Sequence, residues 1–248
     1  MSHLAGLRTI ITGGGAGIGL AVARYFGAHD AVVSVLDIDV SAVDESTTTL
    51  VCDVADDVSV VAAVGEAASL MGGIDVVVNN AGIGAAGDVT SNPDEVWHHL
   101  YDVNVVGIAR VTRAAMPHLR RSDNAVIVNM SSIVAIAGLP DRAAYSATKG
   151  AVQALTMAMA MDHAAEGIRV NCVNPSTVET PWVRRLIDTA ADPAAMAASL
   201  ENRQPTGRLI AAEEVAIAVA YLAQPGSPGL TGVSLPVDGG MSSLRPRR

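Results

Sequence analysis

Two side chains four residues apart, Tyr145 and Lys149 of the run Tyr145-Ser146-Ala147-Thr148-Lys149, are the pair in this sequence best suited to moving a proton. On a helix they stand one turn apart on the same face. A free phenol titrates near about pH 10 and is a poor base at neutrality. An ammonium held close favours the phenolate and draws that pKa down to where proton transfer is useful. Taken alone, the spacing equally describes an ordinary surface helix, so its meaning rests on the rest of the chain. Other groups of interest are the run Thr12-Gly13-Gly14-Gly15-Ala16-Gly17-Ile18-Gly19, the carboxylate of Asp37, and the hydroxyls of Ser131 and Ser132, the latter 13 residues ahead of Tyr145. Two guanidinium groups, Arg142 and Arg203, suit recognition of a carboxylate. The alternative is that Arg142 pairs with Asp141 and Arg203 with acids such as Glu201, as surface arginines commonly do. His98 and His99 lack companion ligands at zinc-site spacing, so no metal is expected.

Hydrophobic patterning supplies the elements that must hold these groups. Residues 7–12 form a short apolar run that stops at glycines, and a helical pattern follows over 17–28. Strand, glycine turn and helix together open a βαβ unit. Gly13 allows the tight turn, Gly17 and Gly19 allow close approach of backbone and helix, and the N–H groups at the helix start suit a pyrophosphate. A second buried strand over 31–36 ends at Asp37, 18 residues beyond Gly19, where a dinucleotide-binding unit places its ribose-binding acid. Such a carboxylate accepts bonds from the adenosine ribose hydroxyls and repels a 2′-phosphate.

Further strands are expected over 50–54, 74–78, 125–130, 169–174 and 232–236, with helices over 93–119, 143–166 and from about 211. Open parallel sheets bind ligands beyond the carboxyl ends of their strands, which is where Ser131 and Ser132 fall. The expected fold is a single α/β domain of Rossmann type spanning 1–248: a doubly wound, central parallel sheet of about seven strands with helices on both faces. A long segment, about 176–210, reads as a lid over the substrate. Between Ala151 and Met161 only Gln153 and Thr156 are polar, so that helix is apolar nearly all round. It should be buried on two sides, against another subunit or wholly inside the chain.

Composition narrows the classes. Half of the 248 residues are hydrophobic and only 3% aromatic, so the core is built from Ala, Val, Ile, Leu and Met, as suits strands buried on both faces. A formal charge of −9 with no basic cluster argues against nucleic acid. Two cysteines in apolar segments and no signal peptide suggest reduced thiols in the cytoplasm. No apolar stretch reaches the roughly 18–20 residues that span a bilayer, so a soluble protein without a membrane partner is expected. The Arg-rich end, 244–248, reads as a mobile tail.

The run 12–19, Asn79-Asn80-Ala81-Gly82, Ser132 and the Tyr145/Lys149 pair stand in the order and at the separations of the short-chain dehydrogenases/reductases. From Leu7 to about Met241 the chain resembles the compact single-domain branch of that family. The resemblance implies an oxidoreductase moving hydride between nicotinamide and a secondary alcohol or ketone. It implies cofactor contacts from Gly13, Gly17, Ile18 and Gly19, and from Asp53 and the Val54 backbone at the adenine. Asn80, Ala81 and Gly82 would pass beneath the adenosine ribose, Tyr145 and Lys149 would meet the nicotinamide ribose, and Pro175, Val178 and Thr180 the nicotinamide. Helix capping is the competing reading for Asp53. By the family interval Ser132, not Ser131, takes the substrate oxygen while Tyr145 acts as base. Asn104, an unfavourable mid-helix residue, would distort its helix and join a proton relay from Lys149. No Lys or Arg occupies Gly14, Gly15 or Ala16, where NADP-using relatives often carry one, so with Asp37 the expected cofactor is NAD.

The substrate region is similar to dehydrogenases of hydroxybutyrate-like acids and deoxy sugar acids, which implies a small hydroxy or keto acid held by Ser132, Tyr145, Arg142 and Arg203. Relatives pair the helix at 143–166 across a subunit interface, which implies a homo-oligomer, a tetramer in preference. Two stretches depart from the family: 38–49 is shorter than the usual crossover helix, and Ser176 replaces a glycine whose positive φ would strain other residues. Rival readings are an NADP-dependent ketoacyl or carbonyl reductase, an extended epimerase or dehydratase, and a non-catalytic NAD-binding sensor or scaffold. Asp37 opposes the first, the chain length the second, and the intact Ser132, Tyr145 and Lys149 the third.

Overall fold

The computed structural model describes residues 3–245, so the last three residues of the Arg-rich tail lie outside the described residues. Nine strands are present among them: β1 (Arg8–Thr12), β2 (Val32–Asp37), β3 (Thr48–Val51), β4 (Val76–Asn79), β5 (Val126–Met130), β6 (Arg169–Pro175), β7 (Val178–Glu179), β8 (Ile210–Ala211) and β9 (Ser234–Val237). The helices are α1 (Gly17–Ala28), α2 (Asp57–Met71), α3 (Asp94–Tyr101), α4 (Gly107–Leu119), α5 (Ala143–His163), α6 (Pro181–Asp188), α7 (Pro193–Glu201) and α8 (Ala212–Ala223). Seven strands form one parallel sheet in the order β3-β2-β1-β4-β5-β6-β9. The order reverses between β1 and β4, which opens a crevice at their carboxyl ends.

Alternation along the strands explains the two helical layers. Ile11, Val35, Val76, Val78 and Val128 face one side and pack with Val22, Phe26, Val215 and Val219 of α1 and α8. Ile10, Leu36, Val77 and Ile127 face the other, against Val64, Val111, Ala115 and Met159 of α2, α4 and α5. Phe26, the only phenylalanine, is fully buried; such a side chain contributes about 1.5–3 kcal/mol. The guanidinium of Arg169, at the start of β6, donates to the carbonyls of Leu222, Ala223, Gln224 and Leu230 and so closes the C-terminus of α8.

Three expectations change in detail. The β2–β3 crossover over 38–47 contains no helix, and β3 lies two to three residues earlier than its apolar pattern suggested. The long helical region is broken between α3 and α4 by a π-helical turn, Asp102–Val106, centred on Asn104. Helix α5 packs on the sheet with one side only. Met157 and Met161 on its other side are 58% and 78% exposed, so it is not a fully internal helix.

Candidate active site

The glycine turn makes a surface of bare backbone. Gly13 and Gly17 adopt φ of 63° and 54°. A Cβ at Gly13 would stand 2.7 Å from Ala81 Cα, and one at Gly19 would overlap Gly13 O and the Asn80 amide. The Asn80 side chain donates to Thr12 O (3.1 Å) and Gly13 O (2.7 Å), while Thr12 Oγ1 accepts from the backbone N–H groups of Asn80 and Ala81. Asn80 thus ties the β4 end to the cradle. Helix α1 begins at Ala16 with no side-chain cap and no acidic residue in its first turn, so its leading N–H groups are left for an anion. Ile18, one residue into the helix, turns into the core instead.

Beside this cradle, Asp37 is half-buried at the end of β2. Its carboxylate accepts from Gly15 N at 2.8 Å and Asp39 N at 3.1 Å. Uncapped N–H groups, side-chain-free backbone and an adjoining carboxylate fit a dinucleotide. Asp53 is exposed beyond β3 and accepts from Ala55 N. The helix-capping reading does not hold, because Asp56 caps α2. The Val54 carbonyl accepts from Arg110.

Ser132, Tyr145 and Lys149 come together where β5 ends against the first turn of α5. Ser132 is 8% exposed and makes a long 3.5 Å bond to Pro175 O, and its hydroxyl favours the Tyr145 phenolate. Lys149, 4% exposed, donates to Met130 O at 2.8 Å, and its Nζ stands 5.7 Å from the centre of the Tyr145 ring. Burial pulls the Lys149 ammonium down to about 8. Tyr145 is half-buried. Burial pushes the phenol above its ordinary value, against the opposing effects of the Ser132 hydroxyl and the Arg142 charge. The expected lowering by Lys149 is therefore absent in the chain itself. Its ammonium is turned to Met130 O, and desolvation of the phenol dominates.

Asn104 is fully buried. Its Oδ1 accepts from Ile83 N at 2.8 Å, and its Nδ2 donates to Ile83 O and to Thr148 Oγ1. Thr148 in turn donates to Tyr145 O. A Cβ at Gly82 would lie 3.1 Å from Asn104 Oδ1 and 3.4 Å from Lys149 Nζ, so these three positions converge. Sequence reasoning passed over Thr148 and Thr12. Thr148 sits inside the Tyr-x-x-x-Lys motif, where its spacing from Tyr145 could have signalled a backbone bond. Ser131, the neighbour of Ser132, donates instead to Lys149 O.

Arg142 flanks the start of α5 and donates to the Asp141 carbonyl rather than to a carboxylate. Arg203 is half-exposed and makes no ion pair or hydrogen bond among the described residues. Neither expected alternative pairing, Arg142–Asp141 or Arg203–Glu201, forms a salt bridge. The lid carries α6 and α7, and its base is closed by the parallel pair β7–β8. Thr180 caps α6 through Val183 N and lies beside Gly17, while Val178 is buried. Ser176 has no positive φ, so its replacement of glycine carries no backbone strain. Its hydroxyl donates to Gln204 Oε1 at 2.6 Å.

A cavity of about 360 Å³ opens at the opposite, amino-terminal end of the sheet, among Arg8, Ser69, Gly72, His118 and Arg121. Arg8 there caps Gly72 O at the end of α2 and pairs with Asp75, while Arg121 meets His118 Nδ1. His98 and His99 are exposed on α3. No helix among the described residues is long and apolar enough to cross a membrane.

The chain matches the family model described as enoyl-(acyl carrier protein) reductase over residues 13–242. It is 36% identical over 246 residues to meso-2,3-butanediol dehydrogenase of Serratia marcescens, covering 94% of each chain. It is 35% identical over 245 residues to cis-4-hydroxycyclohexanecarboxylate dehydrogenase of Sinomonas cyclohexanicum, covering 95% of this chain and 96% of the other. The ligand-free structure of aldohexose dehydrogenase from Thermoplasma acidophilum superimposes with a TM-score of 0.94 at 33% identity, covering 100% and 98% of the two chains.

Proposed function

The chain belongs to the short-chain dehydrogenase/reductase family and is an oxidoreductase, and on that premise we propose that it oxidises or forms a small secondary alcohol with NAD, the substrate being a hydroxy or keto acid. The observation that carries this reading is the meeting of Ser132, Tyr145 and Lys149 at the carboxyl end of β5, in the crevice whose far side is the glycine cradle and Asp37. A nicotinamide dinucleotide, when bound, supplies the hydride acceptor or donor. Gly13, Gly17 and Gly19, together with the helix start at Ile18, would cradle its phosphates, and Asp37 would accept from its ribose hydroxyls. The stretches Asp53–Val54 and Asn80–Gly82 would line the adenosine end. Pro175, Val178 and Thr180 would line the nicotinamide end. Asp37 with Asp39 beside it opposes a 2′-phosphate, which favours NAD over NADP.

Tyr145 Oη is the proton acceptor in the oxidation direction. Ser132 Oγ donates to the same substrate oxygen and holds it within reach of the phenol. Because burial disfavours the phenolate, nearby positive charge is what makes Tyr145 a usable base: Arg142 supplies it in the chain alone, and the Lys149 ammonium would add to it on turning from Met130 O toward the phenol. Asn104 fixes Thr148 and the segment at Ile83, and so supports a proton route past Lys149. Arg142 and the unpaired Arg203 would hold a substrate carboxylate. The name of the Sinomonas relative supports an acidic substrate, and that of the Serratia relative a neutral diol. We further read the exposed apolar side of α5, with Val106 at the start of α4, as a subunit interface in a homotetramer. The buried Cys52 and Cys172 thiols accord with a cytoplasmic protein.

The test is initial-rate turnover with NAD⁺ or NADP⁺ over a panel of hydroxy acids and neutral alcohols. Turnover of acids with NAD⁺ is expected, with a KM that rises in Arg142→Ala and Arg203→Ala. Neutral alcohols as the sole substrates would remove the carboxylate clamp, and undiminished turnover in Tyr145→Phe would remove the proposed base.

A further inference from the structure

The lid, residues 181–209, is joined to the rest of the described chain by few polar contacts. Beyond the residues at its base, where Thr180 caps Val183 N and Arg184 donates to Glu179, side-chain hydrogen bonds tie it to the rest of the described chain from Ser176 to Gln204 and from Arg208 to Glu214. The Arg208–Glu214 pair is exposed and lies beside the base. The Ser176–Gln204 bond is different. It is 2.6 Å long, spans 28 residues, and ends on a glutamine only 2% exposed. Ser176 is itself anchored, since its N–H donates to Val237 O and its predecessor Pro175 accepts from Ser132. The turn after Gln204 is seated as well: a Cβ at Gly239 would stand 2.5 Å from Thr206 Oγ1.

One half of the Gln204 amide is satisfied and the other is not. Oε1 accepts from Ser176, while Nε2 is buried with no protein acceptor among the described residues. Closing the lid therefore gains one hydrogen bond and strands one donor, and opening it hydrates both halves. The Ser176 hydroxyl is thus the side-chain partner that compensates burial of the Gln204 amide, beside the burial of Val183 and Leu200 in the same segment. Gln204 directly follows Arg203, so whatever fixes its buried side chain also fixes where that guanidinium can stand.

We infer that Ser176 is a positioning residue: its hydroxyl latches the C-terminal end of the lid through Gln204 and thereby sets the position of Arg203. The serine that stands in place of the family glycine is thus a working part of this chain. The kinetic consequence rests on the hydroxy-acid reading above, while the latch itself does not.

Hydrogen exchange of residues 181–203, followed in the full-length protein, tests the latch directly. Ser176→Ala should speed exchange in that segment by about two- to tenfold, the effect of one lost hydrogen bond, with β5 and β6 unchanged. Ser176→Thr, which keeps the hydroxyl, should restore the slow rate. In a Gln204→Met background, Ser176→Ala should have no further effect. In steady state, Ser176→Ala should raise KM for a hydroxy acid by a similar factor without lowering kcat. Unchanged lid exchange in Ser176→Ala overturns the proposal, and so does acceleration that spreads equally through β5 and β6. A lid effect without any hydroxy-acid turnover refutes the substrate reading and leaves the latch standing.

Discussion

Replacing Lys149 by Met should abolish turnover and, at neutral pH, make the protein more stable. The ammonium is 4% exposed and titrates at about 8 instead of 10.5, because burial disfavours its charge. At about 1.4 kcal/mol per tenfold change in proton affinity, holding it charged at pH 7 costs about 3 kcal/mol of stability. The lost bond to Met130 O returns about 1–2 kcal/mol of that, so the variant should be about 1–2 kcal/mol more stable. The sign follows from linkage: the folded state releases its proton before the unfolded state does. Between about pH 8 and 10.5 the unfolded chain binds more protons, and wild-type stability rises with pH. At pH 9.5 the charge penalty falls to about 1 kcal/mol. The advantage of Lys149→Met should therefore shrink by about 2 kcal/mol between pH 7 and 9.5. Urea unfolding of both proteins at the two pH values, with m held constant, measures it. A variant less stable at pH 7, or a difference independent of pH, would show that burial does not govern the charge of this ammonium.

Asp37→Ser should raise the ratio of NADP to NAD turnover by about 10- to 100-fold, since it removes both an acceptor for the ribose hydroxyls and a charge that repels phosphate; kcat/KM with each cofactor decides it. Asp75 is buried, and although burial would raise its pKa, the bonds from Arg8 and Ser122 hold it below the ordinary value. Its stabilisation is complete above about pH 4 and is lost as pH falls through the lowered native value. Asp75→Asn should cost about 3 kcal/mol at pH 7, because it leaves Arg8 unpaired, and should flatten the acid limb of a denaturation profile. Charging the open side of α5 with Met157→Glu and Met161→Glu should dissociate the proposed homotetramer, visible as a fall in sedimentation coefficient; a wild-type chain that already sediments as a monomer refutes that assembly. A sedimentation coefficient unchanged from wild type would place the interface elsewhere.

Much of this molecule is local and was legible from the residues themselves. A four-residue spacing places Tyr145 and Lys149 on one helical face wherever the helix goes, and alternation along β1, β4 and β5 assigns each Val and Ile to one face of the sheet. The glycines at 13 and 19 announce close backbone approach, since a Cβ at either would overlap backbone atoms, and Gly17 a positive φ. Asn104 is unfavourable in a helix interior, and the family resemblance added the distortion that appears as the π-helical turn. What the tertiary structure decided was solvation and pairing across long separations. Lys149 is turned to a strand carbonyl, and Arg142 is the charge that counters burial of the phenol. Ser176 meets Gln204 across 28 residues, and one apolar side of α5 is left uncovered. Side-chain spacing repeats with the backbone and can be read along the chain; desolvation depends on which distant segments close over a group, and that exists only once the strands are ordered in space.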